Sequence, residues 1–139
     1  MENYLEIFTK SYQRVINEKR ADKDFFTAFY DAFIDDSAAA REKFRNVDMQ
    51  KQKEHLRNSL DHMVYFSIDR QASDEMTRIA RAHGKSGTDV GPALYDCWLN
   101  SLVKTVHEYD PQFDDEVEIA WRVVLAPGIS YMQLQHPRA

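Results

Sequence analysis

The sequence has little cysteine, glycine and proline, and it contains no long apolar run. Its 139 residues include one cysteine, four glycines and four prolines. A single cysteine, Cys97, excludes an internal disulfide framework and a cysteine-based zinc site. No apolar run approaches the roughly 18 residues that a membrane span needs, and the polar, acidic N-terminus is unlike a secretion signal. We therefore expect a cytoplasmic protein without a membrane partner.

Positive charge is also in the minority, because 18 lysines and arginines face 23 aspartates and glutamates. The formal net charge of -5 and the lack of a basic stripe make nucleic acid a poor match as a partner. Hydrophobic residues form 43% of the chain and charged residues 29%, which is typical of a compact globule. The length suits one domain and hardly two, so residues 1–139 are predicted to form a single domain.

Apolar residues recur with helical spacing along almost the whole chain. Six stripes begin near Leu5, Phe26, Met49, Met76, Val90 and Val117. No segment alternates with period two, so we expect no sheet. Ser73 before Asp74, and Asp114 before Asp115, are typical of helix N-caps with acidic first turns. Pro127 lies inside the sixth stripe and is expected to kink or end that helix, so the pattern predicts an all-α domain.

His83 is the most informative residue for function. It follows Met76 by seven residues and Ile79 by four, which places all three on one buried face of a short helix. A histidine on such a face needs a hydrogen-bond partner or a ligand for its ring nitrogens. Taken alone, this pattern favours a hydrogen-bonded core histidine over a metal ligand.

Five motifs give His83 a more specific context, because each lies on its own helix or corner. They are FYDAFI around Tyr30, the corner at Phe44, Q-x-x-x-L from Gln52 to Leu56, H-x-x-x-G from His83 to Gly87, and A-W at Ala120 and Trp121. In this order, and from about residue 3 to 134, the chain resembles a bacterial single-domain haem globin. The resemblance implies a globin-like fold, a three-over-three helical sandwich around a haem pocket, with haem b as the cofactor.

The resemblance implies that His83 is the proximal ligand of the haem iron. A neutral imidazole binds iron through Nε2, and its Nδ1 hydrogen then needs an acceptor such as a main-chain carbonyl near Ile79. Phe44 matches the phenylalanine that stacks on the porphyrin. Further apolar side chains would complete the walls, and these are Leu56, Ile79, Val90 and Leu94.

Tyr30 and Gln52 match the distal pair of many bacterial globins. Both side chains can donate a hydrogen bond to bound oxygen, carbon monoxide or nitric oxide, and in a dry pocket this predicts slow oxygen release. His55 follows Gln52 by three residues and projects near the same face. Its role is either that of a sixth iron ligand, as in some small cyanobacterial-type globins, or that of a residue facing a propionate or solvent.

Three cations, Arg45, Lys53 and Lys85, are further candidates for a propionate contact, with simple surface charge as the alternative. Flavohaemoglobins are similar but back the proximal histidine with a tyrosine and a glutamate, and those positions hold Gly91 and His136 here. The chain also shows no flavin or nicotinamide segment, so any turnover would need an external reductase.

We therefore expect reversible binding of oxygen or another diatomic gas rather than an enzymatic activity. Three alternatives stay open. The first is nitric oxide dioxygenation with a separate reductase, and the second is a gas or redox sensor with a histidine as sixth ligand. The third is a globin fold without haem that acts through protein contacts. The oligomeric state is expected to be a monomer or a homodimer.

Overall fold

The structure is a computed structural model that describes residues 3–69, 74–84 and 90–135. Within these ranges the backbone forms seven helices and one small hairpin. In chain order the elements are α1 (Tyr4–Ile16), β1 (Lys19–Arg20), β2 (Lys23–Asp24), α2 (Phe25–Asp36), α3 (Ala38–Lys43), α4 (Met49–Asp69), α5 (Asp74–Ala82), α6 (Pro92–Tyr109) and α7 (Asp115–Gln135). The predicted all-α class is confirmed.

The hairpin of β1 and β2 contradicts the prediction that there is no sheet. The two strands are antiparallel and have two residues each. The turn between them is formed by Ala21 and Asp22, whose φ angles are 52° and 63°. Two consecutive positive φ angles are typical of a type I′ turn, which joins strands without a longer loop. A two-residue strand is too short for the alternation that the sequence was searched for.

Side-chain oxygens cap the N-termini of five helices in the described ranges. The capping residues are Asn3, Asp24, Ser37, Asp48 and Asp114. At the predicted cap, Asp114 Oδ1 accepts a hydrogen bond from the Val117 backbone N–H at 2.9 Å, so this prediction is confirmed. The other predicted cap, Ser73, lies outside the described residues.

The core forms where α7 packs against α1 and α4, and where α2 packs against α6. Trp121 is fully buried at the centre of α7, in contact with the rings of Phe8 and Phe25. The helix continues through Pro127, so the proline does not end it. None of the helices in the described ranges combines the length and the apolar character that a membrane crossing requires.

Candidate functional site

A mainly apolar cavity lies between α4 on one side and α5 with the start of α6 on the other, and the corner after α3 closes a third side. Nine residues that the sequence assigned to the site line this cavity: Tyr30, Phe44, Gln52, His55, Leu56, Ile79, His83, Val90 and Leu94. They come from α2, α4, α5, α6 and the segments that follow α3 and α5, so the fold brings these predicted residues together.

The imidazole of His83 is held in one orientation at the C-terminal end of α5. Its Nδ1 lies 2.7 Å from the carbonyl oxygen of Ile79, the acceptor that the sequence analysis predicts. Because a carbonyl only accepts, Nδ1 carries the hydrogen, which leaves Nε2 as the ring nitrogen that can bind a metal. Nε2 has no hydrogen-bond partner in the described part of the chain, and the ring lines the cavity. The arrangement therefore offers one imidazole nitrogen to the cavity.

Tyr30 and Gln52 form the polar part of the opposite wall. The Gln52 side-chain amide donates to the Tyr30 hydroxyl oxygen at 3.3 Å, and the Tyr30 O–H lies 3.5 Å from the Gln52 main-chain carbonyl. Both distances are long for hydrogen bonds. Burial raises the pKa of Tyr30 to about 12, although the hydrogen bond from Gln52 acts in the opposite direction. The phenol therefore stays protonated at neutral pH and can donate to a better acceptor.

Phe44 forms a rigid apolar face where α3 ends. Its ring centroid lies 5.4 Å from that of Tyr30 and 6.0 Å from that of Phe33, and both pairs meet edge to face. The backbone N–H of Phe44 donates to the Ala40 carbonyl at 3.1 Å, which fixes the helix end. Such edge-to-face packing holds the ring in place beside the cavity.

The mouth of the cavity is more polar than its walls. His55 is exposed and lines this mouth, as do the exposed side chains of Lys43 and Val47. The sequence analysis missed Lys43, although its position directly before Phe44 was a usable signal. Since His55 lies at an exposed edge, its position favours contact with solvent or with a carboxylate over contact with the cavity centre.

Two of the predicted cations are not brought to the cavity. Arg45 pairs with Glu42 at 2.5 Å on an exposed surface. The Lys53 ammonium donates to Thr27 Oγ1 at 3.0 Å and lies 3.9 Å from Asp24 Oδ2. These local partners turn both side chains away, so the structure does not support their assignment to the site. Three further residues of the sequence analysis, Lys85, Gly87 and His136, lie outside the described ranges.

Several lining residues were not assigned to the site from the sequence. They are Phe33, Ser59, Met63, Ala82, Tyr95, Trp98 and Met132. Among these, Tyr95 is 6% exposed, and its hydroxyl makes no hydrogen bond to a described residue. Burial raises the pKa of Tyr95 to about 12, so this phenol also stays protonated. The sequence did carry a signal for Tyr95 as a wall residue. It follows the predicted wall residue Leu94 by one position and precedes Trp98 of the fifth stripe by three.

A free metal ion is a poor fit to these side chains. In residues 3–69, 74–84 and 90–135, no three histidine, cysteine or acidic side chains come together as ligands. The cavity wall supplies the His83 imidazole and little else that binds a transition metal. A metal in this cavity therefore needs most of its ligands from a flat or cage-like cofactor.

Comparison with known proteins gives one informative similarity. No family model and no curated protein matches the chain. The chain is similar to protein PA3967 of Pseudomonas aeruginosa PAO1, whose crystal structure is described as structurally highly homologous to a human haemoglobin. The two are 30% identical, and the match has a TM-score of 0.88 and covers 96% of this chain and 98% of the other.

Proposed function

Because this chain belongs to the globin family, we propose that it binds haem b on His83 and reversibly captures oxygen or another diatomic gas. The globin fold predicted from the sequence is confirmed. The observation that carries the proposal is the His83 ring, with Nδ1 fixed on the Ile79 carbonyl and Nε2 free at the cavity wall. When a histidine binds a metal through one ring nitrogen, the other ring nitrogen usually donates a hydrogen bond to an acceptor.

The residues present fit an iron porphyrin. The walls are mainly apolar, Phe44 offers a flat face, and the mouth carries Lys43 and His55 where carboxylates of the macrocycle would emerge. When bound, ferrous haem supplies an open coordination position for a diatomic gas. The residues around the cavity would hold the macrocycle and keep water out, and the Ile79 carbonyl would orient the His83 imidazole.

The Tyr30–Gln52 pair is the part of the chain that acts on the gas. Bound oxygen carries partial negative charge, and both the phenol O–H and the side-chain amide N–H can donate to it. Their present contacts are long and weak, at 3.3 Å and 3.5 Å. Little hydrogen-bond energy is therefore lost when the donors turn toward a charged acceptor. We expect slow oxygen release as a result.

One feature favours gas capture over nitric oxide dioxygenation. The acceptor of His83 Nδ1 is a neutral main-chain carbonyl. A carboxylate acceptor would give the imidazole more anionic character and strengthen its electron donation to iron. With a carbonyl in that place, oxidative chemistry has weaker support.

The first experiment is the absorption spectrum of the purified protein, as isolated, after reduction, and with carbon monoxide. We expect a strong Soret band, which His83→Gly loses or shifts and which added imidazole restores. His107→Gly is the matched control, because His107 is exposed and stacks on Phe113 outside the cavity. A wild-type spectrum from His83→Gly, or no haem uptake by the unaltered protein, would contradict the proposal.

The second experiment separates capture from catalysis. The oxygenated protein is mixed with stoichiometric nitric oxide, and a reductant is then supplied in excess. We expect at most a single reaction of the bound gas. Sustained consumption of nitric oxide would instead establish the dioxygenase alternative.

A further inference from the structure

The two ends of the cavity differ in polarity, which determines how an amphipathic macrocycle lies in it. The mouth carries the exposed side chains of Lys43 and His55. The buried part of the lining, which we call the inner end, includes Met63 and Met132, which are 1% and 6% exposed. Since burying an unpaired carboxylate is very costly, the carboxylate edge belongs at the mouth. The opposite, apolar edge then meets the two methionines.

Met63 lies directly on the backbone of α7 at Gly128. A methyl group added at position 128 would lie 2.9 Å from Met63 Cγ and 3.2 Å from both its Cβ and its Cε. Carbon atoms in contact prefer about 3.5–4.0 Å, so Met63 and an alanine at 128 cannot both keep these positions. Because glycine has no side chain, position 128 lets α4 and α7 approach closely, with the Met63 side chain between them.

A larger residue at 128 would displace Met63 toward the cavity. Met63 stands between α7 and the cavity, and it lines the latter. Backbone of α7 blocks movement in one direction, whereas the cavity leaves room in the other. A methionine side chain has flexible torsions and readily follows such a displacement.

From this contact we infer that Gly128 is a specificity-determining residue, which sets through Met63 how bulky the buried apolar edge of the macrocycle can be. With glycine at 128, Met63 can stay against α7, so we expect the inner end to admit the vinyl groups of haem b. The inference rests on the proposed haem binding and adds the size limit at the inner end of the site.

The test compares two macrocycles in Gly128→Ala. Deuterohaem is the same iron porphyrin with hydrogen atoms in place of the two vinyl groups. We expect Gly128→Ala to release haem b about tenfold faster than the unaltered protein does, since crowding a packed site is destabilising. Release of deuterohaem should change less than threefold, as an order-of-magnitude expectation from the smaller overlap. Gly91→Ala is the matched control, because a methyl group there meets nothing within 4 Å.

A second variant keeps the inference testable if Gly128→Ala folds poorly. Met63→Ala enlarges the inner end and should shift the preference toward haem b, opposite to Gly128→Ala. The double variant Gly128→Ala with Met63→Ala should regain haem b retention, because two of the three overlapping atoms, Met63 Cγ and Cε, are gone. If Gly128 affected stability alone, the double variant would not regain its relative preference for haem b over deuterohaem.

The outcomes separate the two proposals. If Gly128→Ala releases haem b and deuterohaem with unchanged relative rates, or only lowers the melting temperature of the haem-free protein, the inference about Gly128 is overturned. If the unaltered protein binds neither macrocycle, the proposed haem function fails instead. A preference that moves in opposite directions in Gly128→Ala and Met63→Ala supports the inference.

Discussion

Two buried polar regions of this protein differ in how fully their hydrogen-bonding groups are used. In the first, at the junction of α1, α6 and α7, Trp121 Nε1 donates to Ser11 Oγ at 2.9 Å, and Ser11 donates to Asp110 Oδ2 at 2.6 Å. Arg14 donates to both oxygens of the same carboxylate at 2.7 Å and 2.8 Å. We call these four residues the Asp110 cluster. Its bonds are short and charge-assisted, so it holds three helices together.

The second region is the cavity, where hydrogen-bonding capacity remains. His83 Nε2 and the Tyr95 hydroxyl have no partner in the described ranges, and the Tyr30–Gln52 contacts are long. In the described ranges no fully buried side-chain nitrogen or oxygen lacks a partner, so these unpaired groups are ones that a molecule in the cavity can reach. The contrast therefore separates polar groups that stabilise the fold from those whose partners arrive with a bound molecule.

The largest effect on stability should come from breaking the Asp110 cluster. Asp110→Ala removes the acceptor of Arg14 and Ser11, and the free energy of unfolding should fall by about 3 kcal/mol. This is the lower end for a broken buried ion pair, because the Arg14 side chain is 24% exposed. Urea unfolding of the haem-free protein measures it. Glu118→Ala, which breaks an exposed pair with Arg122, is the control and should cost less than about 1 kcal/mol.

Asp110→Ala should leave the absorption spectrum of the folded, haem-loaded protein unchanged. The cluster does not line the cavity, so its loss removes stability without altering the site. A shifted Soret band in this variant would mean that the two regions are coupled and that the comparison fails.

The next largest effect expected is on the rate of oxygen release and not on the stability of the fold. Tyr30→Phe removes a donor that is worth about 1–3 kcal/mol to a charged acceptor, so oxygen should dissociate roughly 5- to 150-fold faster. Stopped-flow displacement of oxygen by carbon monoxide gives the rate. Tyr131→Phe is the matched control, because its hydroxyl contacts Thr77 at 3.3 Å and does not line the cavity. Equal rates in both variants would remove Tyr30 from the gas site.

How well the sequence predicted these two regions depends on the sequence separation of the contacts. The contact of His83 with Ile79 spans four residues, so helical geometry alone predicts it. Tyr30 and Gln52 are 22 residues apart, and their pairing followed only from the order of motifs in a known family. The contact of Ser11 with Asp110 spans 99 residues, and no periodicity in the sequence relates two such positions.

A related cause explains which lining residues were missed and why two predicted cations do not line the cavity. Membership of the third stripe predicts that Met63 is buried, but it cannot tell which part of the core faces a cavity. For the surface cations, the direction of a long side chain depends on its local partners. Glu42 turns Arg45 away and Thr27 turns Lys53 away, and neither partner is identifiable without coordinates.

Acid should weaken the Asp110 cluster. Burial alone would raise the pKa of Asp110, but hydrogen bonds from Arg14, Ser11 and the Gln112 backbone N–H outweigh it and hold this pKa below 3.8. The folded-state pKa is thus depressed relative to the unfolded chain. Its contribution to stability is complete above the unfolded pKa, about 3.9, and is lost as the pH falls through the folded value.

The measurement is the free energy of unfolding of the haem-free protein between pH 5 and pH 3. The unaltered protein should lose more stability over this interval than Asp110→Asn, whose side chain does not titrate. Parallel pH profiles for the two proteins would show that the carboxylate of Asp110 is not linked to folding.

The smallest effect expected is that of His83→Ala on the haem-free fold. The change removes one local side-chain bond to the Ile79 carbonyl, which still accepts the backbone N–H of residue 83 at 3.1 Å. Alanine also favours the helical conformation at the end of α5. The free energy of unfolding should therefore stay within about 0.5 kcal/mol of the unaltered protein. Haem should then stabilise the unaltered protein by mass action and the variant far less. A loss of several kcal/mol in the haem-free variant would place His83 with Asp110, among the residues that hold the fold.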